Sequence, residues 1–600
     1  MAGQADIELE EQFAQKRMSS GTFLRLASYI RPYRKTFALN LSLTLLATLS
    51  TLLGPKFIQV GIDRYLTQVA DAGTAYQGIL LISLIYLGNL LVGWFLSVAQ
   101  VRSAIQVGQG AMNDLRLAVF EHIQKLSLNY FDKTHQGRII ARADTDIDSL
   151  DRIMTWGTNQ MLASLMTLAG VIGLMIQYDW RLCLAVCLVL PPLCFATRLF
   201  HKFGLDAHRK VRAQTSRLTA AMAENIAGVR VVQAFSREEE NLLRFQRIHD
   251  THNELALVAA RVFHTYMPFV GFMSGLGTVI ILGYGGSLAL RHEITVGELA
   301  AFALYLGMFF GPIQTMGDLY NAILSTAASA ERIFHLLDTA PQVRNRAGAE
   351  PLPPLRGHLV FDKVFFRYDS TPADGWVLRD ISFEARPGET IALVGHTGSG
   401  KSSIISLIAR FYEPQRGRVL MDGIDLHSAT IESLHEQIGI VTQENFLFTG
   451  TVMENLKFGR PNATDEEVIR AATTLGTHDL ILRFAEGYQT KVSERGGNFS
   501  AGERQLLTFT RAMVAQPRIL ILDEATSAVD AQTERTIQHA LEELFARRTS
   551  FVVAHRLSTV RHAHRILVLS NGEIVEQGTH DELIKLGGHY AKLHEEFVRQ

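Results

Sequence analysis

The sequence predicts two fold classes joined in one chain: an α-helical membrane domain of six spans, then an α/β domain of the phosphate-loop nucleotide-binding type. Three observations predict this. Long charge-free apolar runs are confined to residues 1–320. A glycine-rich turn follows a short apolar run at 391–403, IALVGHTGSGKSS. A second apolar run, RILILDE at 518–524, ends in adjacent carboxylates. At 600 residues the chain is also too long for a single core.

The turn spells GxxxxGK[ST] with Gly395, Gly400, Lys401 and Ser402. Glycines there let the backbone curl so that the N–H groups of the loop, His396, Thr397, Gly398 and Ser399 included, converge on phosphate oxygens. Lys401 adds a point charge, Ser402 offers a hydroxyl to Mg²⁺, and the following helix, with Ser403 in its first turn, presents its positive end. Asp523 and Glu524 close the second run, where a nucleotide-binding sheet holds a metal ion and a water molecule.

Residues 1–19 read as a polar, acidic cytosolic tail. Residues 20–35 alternate basic with apolar or aromatic residues, the pattern of a helix lying on a membrane surface with Arg and Lys toward the headgroups. Six runs follow at 36–55, 73–101, 153–178, 182–197, 262–290 and 299–317, each able to serve as a membrane helix. The fourth is short and extends with Arg198 at the interface. The segments 102–152 and 198–261 are long, helical in pattern and rich in Arg and Lys. The positive-inside rule puts them, and both termini, in the cytosol. Glycines interrupt each helical pattern, Gly137 in the first segment and Gly228 in the second. Cys183, Cys187 and Cys194 fall in one apolar run at helical spacing and read as buried apolar side chains, neither disulfide nor metal site.

The domain reading is a tail at 1–19, a membrane domain at 20–336, a linker at 337–355 and an α/β domain at 356–600, where strand and helix patterns alternate. A net charge of −1 implies no nucleic-acid partner.

With these motifs in order, the chain resembles a half-transporter of the ATP-binding cassette (ABC) superfamily, exporter type, over residues 20–600. The resemblance implies the type IV exporter architecture, ATP and Mg²⁺, and a multi-pass protein of the plasma (bacterial inner) membrane. It implies that Tyr368 in FFRYDS stacks on adenine, and that Gln443 in VTQENFLF joins Ser402 and Asp523 around Mg²⁺. By the same resemblance Glu524 is the general base, His555 in VVAHRLST contacts the γ-phosphate, and Asp530 in SAVD crosses the dimer interface. Glu494, Arg495 and Gly496 resemble the exporter-specific segment ahead of the signature. The loops within 102–152 and 198–261 resemble the coupling loops of exporters.

The signature departs from the family's LSGGQ: it is Phe499, Ser500, Ala501, Gly502, Glu503. In the family this segment, here Ser500 to Glu503, faces the partner subunit's ATP. Ser500 and Gly502 keep the hydroxyl and the backbone N–H. Glu503 sets a carboxylate near a polyanion, at roughly 3 kcal/mol for a like-charge pair about 6 Å apart at an effective dielectric near 20. Intact catalytic residues beside an altered signature favour a heterodimer with a second half-transporter over a homodimer.

The six runs hold no Asp, Glu, Lys or Arg in their interiors, which argues against ion coupling and against a strongly charged substrate at mid-membrane. Asn, Gln, His264 and aromatics, including Phe302, Tyr305, Phe309 and Phe310, remain as content that together fits a cavity for amphipathic or hydrophobic compounds. The expected function is ATP-driven export of such compounds across the lipid bilayer. A lipid or glycolipid flippase is the alternative, and an ATP-gated channel or regulatory module is the reading from another class.

Overall fold

The computed structural model describes residues 20–68, 71–369, 371, 375–523, 531–553 and 560–599. The described residues form two compact units, one of 20–122 and 137–338, the other built on 123–136 and the described residues from 339 to 599.

In the first unit, helices α1 (Ser20–Ser28), α2 (Arg34–Val60) and α3 (Ala72–Lys125) come first. After the short α4 (Leu128–Lys133), which belongs to the second unit, come α5 (Gln136–Ala143), α6 (Thr145–Asp151), α7 (Thr158–Tyr178), α8 (Trp180–Cys187) and α9 (Leu190–Ala227). Then α10 (Val229–Ala234), α11 (Glu238–Ile280), α12 (Gly286–Leu290) and α13 (Val296–Asp338) complete it. Among the described residues, six helical segments are long and apolar enough to cross a membrane. Each begins ahead of its apolar run and four also end beyond it: α3 alone has 54 residues, about 81 Å at 1.5 Å per residue. It contains no proline, whereas Pro55, Pro268 and Pro312 lie inside α2, α11 and α13. Small residues set the closest approaches: a Cβ on Gly108 would come within 2.0 Å of Thr155 Oγ1.

Polar side chains fix the ends of this unit. Arg25 donates twice to Asp338, at 2.6 and 2.8 Å, and lies over the Phe334 ring. Arg25 of α1 is therefore engaged by the end of α13 rather than left toward headgroups, while Phe23 and Leu24 stay exposed. Asp146 of α6 is buried and accepts bonds from Ser329 and from the Arg332 guanidinium, the pairing that a buried carboxylate requires.

Of three sequence expectations, two change and one holds. Gly137 lies inside α5, and the break falls at 134–135 just ahead of it, where Thr134 is extended. Gly228 does end a helix, as the C-cap of α9. The cysteines do not share one buried face: Cys183 is buried, Cys187 half-buried and Cys194 exposed. The buried stripe runs through Leu182, Cys183, Val186, Val189 and Leu193 and keeps its helical period across Pro191 and Pro192, so Cys187 and Cys194 lie beside it rather than in it.

In the second unit, β1 (Leu359–Phe366), β2 (Leu378–Ala385), β4 (Arg416–Met421) and β5 (Ile424–Asp425) form an antiparallel sheet in the order β2-β1-β4-β5. The main sheet combines β3 (Thr390–Val394), β6 (Ile438–Val441), β9 (Ile519–Asp523), β10 (Thr549–Val553), β11 (Arg565–Ser570) and β12 (Glu573–Gly578). Its order is β12-β11-β3-β10-β9-β6, parallel except for the edge strand β12. β3 and β10 are buried at every residue, as expected of central parallel strands covered on both faces. One core lies between the sheets, with Phe361 stacked on Phe383. The other packs beneath α19 (Ala501–Val514) and α20 (Ala531–Phe545), the helices that follow α14 (Lys401–Ile408), α15 (Ile431–His435), α16 (Val452–Lys457), α17 (Asp465–Thr474) and α18 (His478–Leu482).

Candidate nucleotide site

The parallel strands end in register: Val553 of β10 lies beside Leu393 of β3 and beside Asp523 of β9. One edge of the sheet thus gathers the phosphate loop and Asp523 about two strand spacings apart, near 10 Å. The loop geometry is one that only glycine satisfies at Gly400, where φ is +106° and a Cβ would come within 2.5 Å of Leu378 Cδ2. At Gly395 a Cβ would meet the Leu569 carbonyl oxygen at 2.3 Å. His396, Thr397 and Gly398 are exposed at the rim, and Ser402 is exposed at the start of α14.

Lys401 is buried, and its Nζ donates to the carbonyl oxygens of Gly395 at 2.7 Å and His396 at 3.0 Å. An ammonium has three donors, so one remains for a phosphate oxygen. Burial pushes the Lys401 pKa down, with the Asp523 carboxylate acting in the opposite sense. Beside it, the buried Ser399 hydroxyl has no partner among the described residues. An orphaned hydroxyl, a spare ammonium donor and a backbone cradle without Cβ atoms are what a polyphosphate would satisfy. The residues fit ATP.

Tyr368 is tethered to this loop, its hydroxyl 2.9 Å from Ser403 Oγ on α14. Its ring meets Phe366 and Tyr412 edge-on, with centroids 4.8 and 5.1 Å away, and burial raises its pKa. Gln443 is exposed after β6 and shares with Gln505 and Asp523 a cavity of about 10 Å³, room for one water molecule. Gln505 Oε1, buried and without a partner among the described residues, lines that cavity. Sequence reasoning missed Gln505; its only signal is a polar residue on the buried face of α19.

Ser500 is the N-cap of α19 and forms a capping box with Glu503. Ser500 Oγ accepts from Glu503 N at 3.3 Å, and Glu503 Oε2 accepts from Ser500 N at 2.7 Å. The carboxylate that departs from the family pattern therefore satisfies a helix-end donor and sits at the positive end of the helix dipole. The Ser500 hydroxyl proton stays available to an acceptor. Ala501 is half-buried and Gly502 buried in the first turn. Arg504 Nη1 donates to Phe499 O at 2.6 Å and supports the turn through Arg495 and Gly496, both at positive φ. Glu524, Asp530 and His555 lie outside the described residues.

A polar junction adjoins Tyr368. α4 meets the α/β domain there: Ser127 Oγ accepts from Val343 N at 2.9 Å, and Asp369 accepts from Asn129 and Lys133 at 2.9 Å and Gln342 at 2.8 Å. The Gln342 and Lys133 bonds hold the Asp369 carboxyl down at about 2. Tyr412, whose ring touches Tyr368, donates its hydroxyl to Asp132 of α4. None of these partners was visible in the sequence.

Two family profiles match, described as "ABC transporter transmembrane region" over residues 37–313 and "ABC transporter" over residues 378–527. The chain is 40% identical over 586 residues to the uncharacterized ABC transporter ATP-binding protein YknV of Bacillus subtilis, covering 97% of this chain and 96% of that one. It is 37% identical to the fatty acid ABC transporter ATP-binding/permease protein of Mycobacterium bovis, covering 88% of this chain and 82% of that one. Among solved structures it is similar to a bacterial Atm1-family ABC exporter with ATP bound, at a TM-score of 0.78 and 28% identity, over 94% of this chain and 98% of that one. With both profiles in one polypeptide and the phosphate loop built as above, the chain belongs to the ABC transporters, a multi-pass half-transporter of the exporter type that dimerises and couples ATP hydrolysis to transport.

Proposed function

We propose that the chain exports amphipathic or hydrophobic small molecules from the cytosol or the inner leaflet of a bacterial inner membrane, with both termini cytosolic. The observation that carries this is the charge-free interior of all six apolar runs, 36–55, 73–101, 153–178, 182–197, 262–290 and 299–317. Phe302, Tyr305, Phe309 and Phe310 are buried in the helical core, and Tyr305 donates to Leu52 O at 2.8 Å. Those four support the walls of a binding region rather than its surface. The fatty-acid relative favours a lipid-like substrate as the second reading, a flippase that acts on a lipid or glycolipid.

In the ATP site, Tyr368 would stack on adenine, and the loop from Gly395 to Ser403 would hold the phosphates. Ser402, Gln443 and Asp523 would hold Mg²⁺, whose charge neutralises the phosphates. Glu524 would accept the proton of the attacking water and His555 would bond the γ-phosphate. Ser500, Gly502 and Asp530 would complete the partner subunit's site. The exposed Ile226, Val231 and Phe235 flanking α10 suit docking onto that partner. We favour a heterodimer, because Glu503 faces the partner's nucleotide where the family has an amide.

The test is ATP-dependent uptake of a fluorescent amphipath into inverted vesicles, beside a spin-labelled lipid flip assay. Uptake that requires hydrolysis supports export. Flip without uptake supports the lipid reading, and flux that persists with a non-hydrolysed analogue refutes both. ATPase activity of this chain alone in nanodiscs decides between homodimer and heterodimer.

A further inference from the structure

A second cavity lies at the opposite edge of the main sheet. β9 and β10 start together, Ile519 beside Thr549, and run toward the phosphate-loop edge. Arg518 immediately precedes β9 and Arg547 and Arg548 precede β10, so these arginines stand about 15 Å from that edge along the strands. The cavity measures about 480 Å³, within the range of small-molecule sites.

Its charged lining is Arg460, Arg470, Arg518, Arg547 and Arg548 against one carboxylate, Glu467. Glu467 is occupied by Arg460 at 2.7 Å, yet Arg460 Nε is buried without an acceptor among the described residues. Arg548 is anchored by the Glu543 and Leu544 carbonyls at the end of α20, at 3.2 and 2.8 Å. Arg470, Arg518 and Arg547 are exposed and make no ion pair within 4.0 Å among the described residues. Burial and the nearby Arg518 charge both disfavour the charged form of Arg548, while the Glu543 carboxylate favours it. Met513 and Pro517 add an apolar floor.

A solvated charged surface spreads its cations and intersperses both signs. Here several planar guanidinium forks share one concavity, which is unfavourable until an anion enters. Matching them needs three or four negative charges within a few ångströms. Consecutive phosphates supply that density and accept bidentate bonds, whereas carboxylates would need several residues of an acidic peptide.

We propose that this cavity is a second, non-catalytic site for a small molecule carrying two or more consecutive phosphates. The probe is inorganic tripolyphosphate, titrated calorimetrically into the full chain in nanodiscs, with Lys401→Ala to weaken the phosphate loop. The expected result is saturable binding that weakens at least about tenfold when Arg518→Ser and Arg547→Ser are added, the loss of two charge-assisted contacts. Arg518→Lys with Arg547→Lys should recover part of it, since charge returns without the bidentate fork. No binding in the Lys401→Ala chain, or the same affinity with and without the two serines, overturns the proposal. A parallel titration with a non-hydrolysed ATP analogue separates the sources. Arginine-dependent binding tighter than tripolyphosphate assigns a nucleotide, and equal or weaker arginine-dependent binding assigns the polyphosphate alone.

Discussion

Glu503→Gln separates the helix-capping role that the structure shows from the proposed repulsion of the partner's nucleotide. Glutamine keeps a side-chain oxygen for the Ser500 N–H, now accepted at 2.7 Å, so the capping box survives and only the charge is lost. At the helix N-terminus that charge stabilises α19 by about 0.3–1 kcal/mol. Toward a nucleotide phosphate about 6 Å away in the partner's site it acts oppositely, by about 0.7 kcal/mol in water and about 3 kcal/mol at an effective dielectric near 20. The KM for ATP should therefore fall between about 3-fold and about 100-fold, with the lower figure expected where Mg²⁺ neutralises the phosphates. Glu503→Ala removes the charge and the box together; losing a cap contact costs about 1 kcal/mol, so part of the gain should disappear. The assay is steady-state ATPase activity across ATP concentrations in nanodiscs, with whichever partner supports turnover. An unchanged or higher KM for Glu503→Gln, with the protein folded, would refute the claim that this carboxylate faces the nucleotide.

Lys401→Ala should lower kcat/KM for ATP by about 10- to 100-fold, the range for a hydrogen bond to a charged group, as measured by coupled ATPase assay. Gly400→Ala combines a φ of +106° with a 2.5 Å approach to Leu378, and should lower the unfolding midpoint seen by tryptophan fluorescence, at a cost of about 1–3 kcal/mol. Glu524→Gln should still bind ATP and nearly abolish hydrolysis; near-wild-type turnover would remove it as the general base. Asp132→Asn weakens the bond from Tyr412, and should reduce substrate-stimulated ATPase activity more than the basal rate. Asp369 has its pKa lowered to about 2, so its contribution is complete above the ordinary carboxylate pKa and is lost as pH falls through about 2. Proteolysis of the 123–136 segment should then be flat from pH 5 to 8, and Asp369→Asn should increase it across that whole range.

What was legible in the sequence follows from the range of the interactions involved. The phosphate loop could be read because its chemistry is local: thirteen consecutive residues, 391–403, contain the strand, the turn and the helix start. The spans could be read because lipid imposes length and apolarity one segment at a time. The break placed at Gly137 was displaced because glycine only permits a break; the actual one follows from Thr134 leaving helical geometry. The buried face expected for the cysteines failed because the packed stripe, Leu182, Val186, Val189 and Leu193, is narrower than their spacing allows for, and Cys187 and Cys194 fall beside it. Glu503 was read only as a repulsive charge, although Ser-x-x-Glu ahead of a helix is itself a capping signal. Asp369, Asn129, Lys133 and Gln342 could not be foreseen: their union spans 240 positions of sequence separation, which no local pattern encodes.

The uninterrupted α3 has a mechanical consequence. A rod about 81 Å long, with no proline within it, turns angle into distance: a tilt of about 5° about one end displaces the other by about 7 Å. α2, α11 and α13 each carry an internal proline, and broader helical turns, closed by bonds five residues apart, interrupt the segments at Gly61–Leu66 and Ile281–Gly285. Those helices can flex where α3 cannot. Introducing a hinge into α3 alone should therefore cost the machine its lever arm while leaving every nucleotide contact in place.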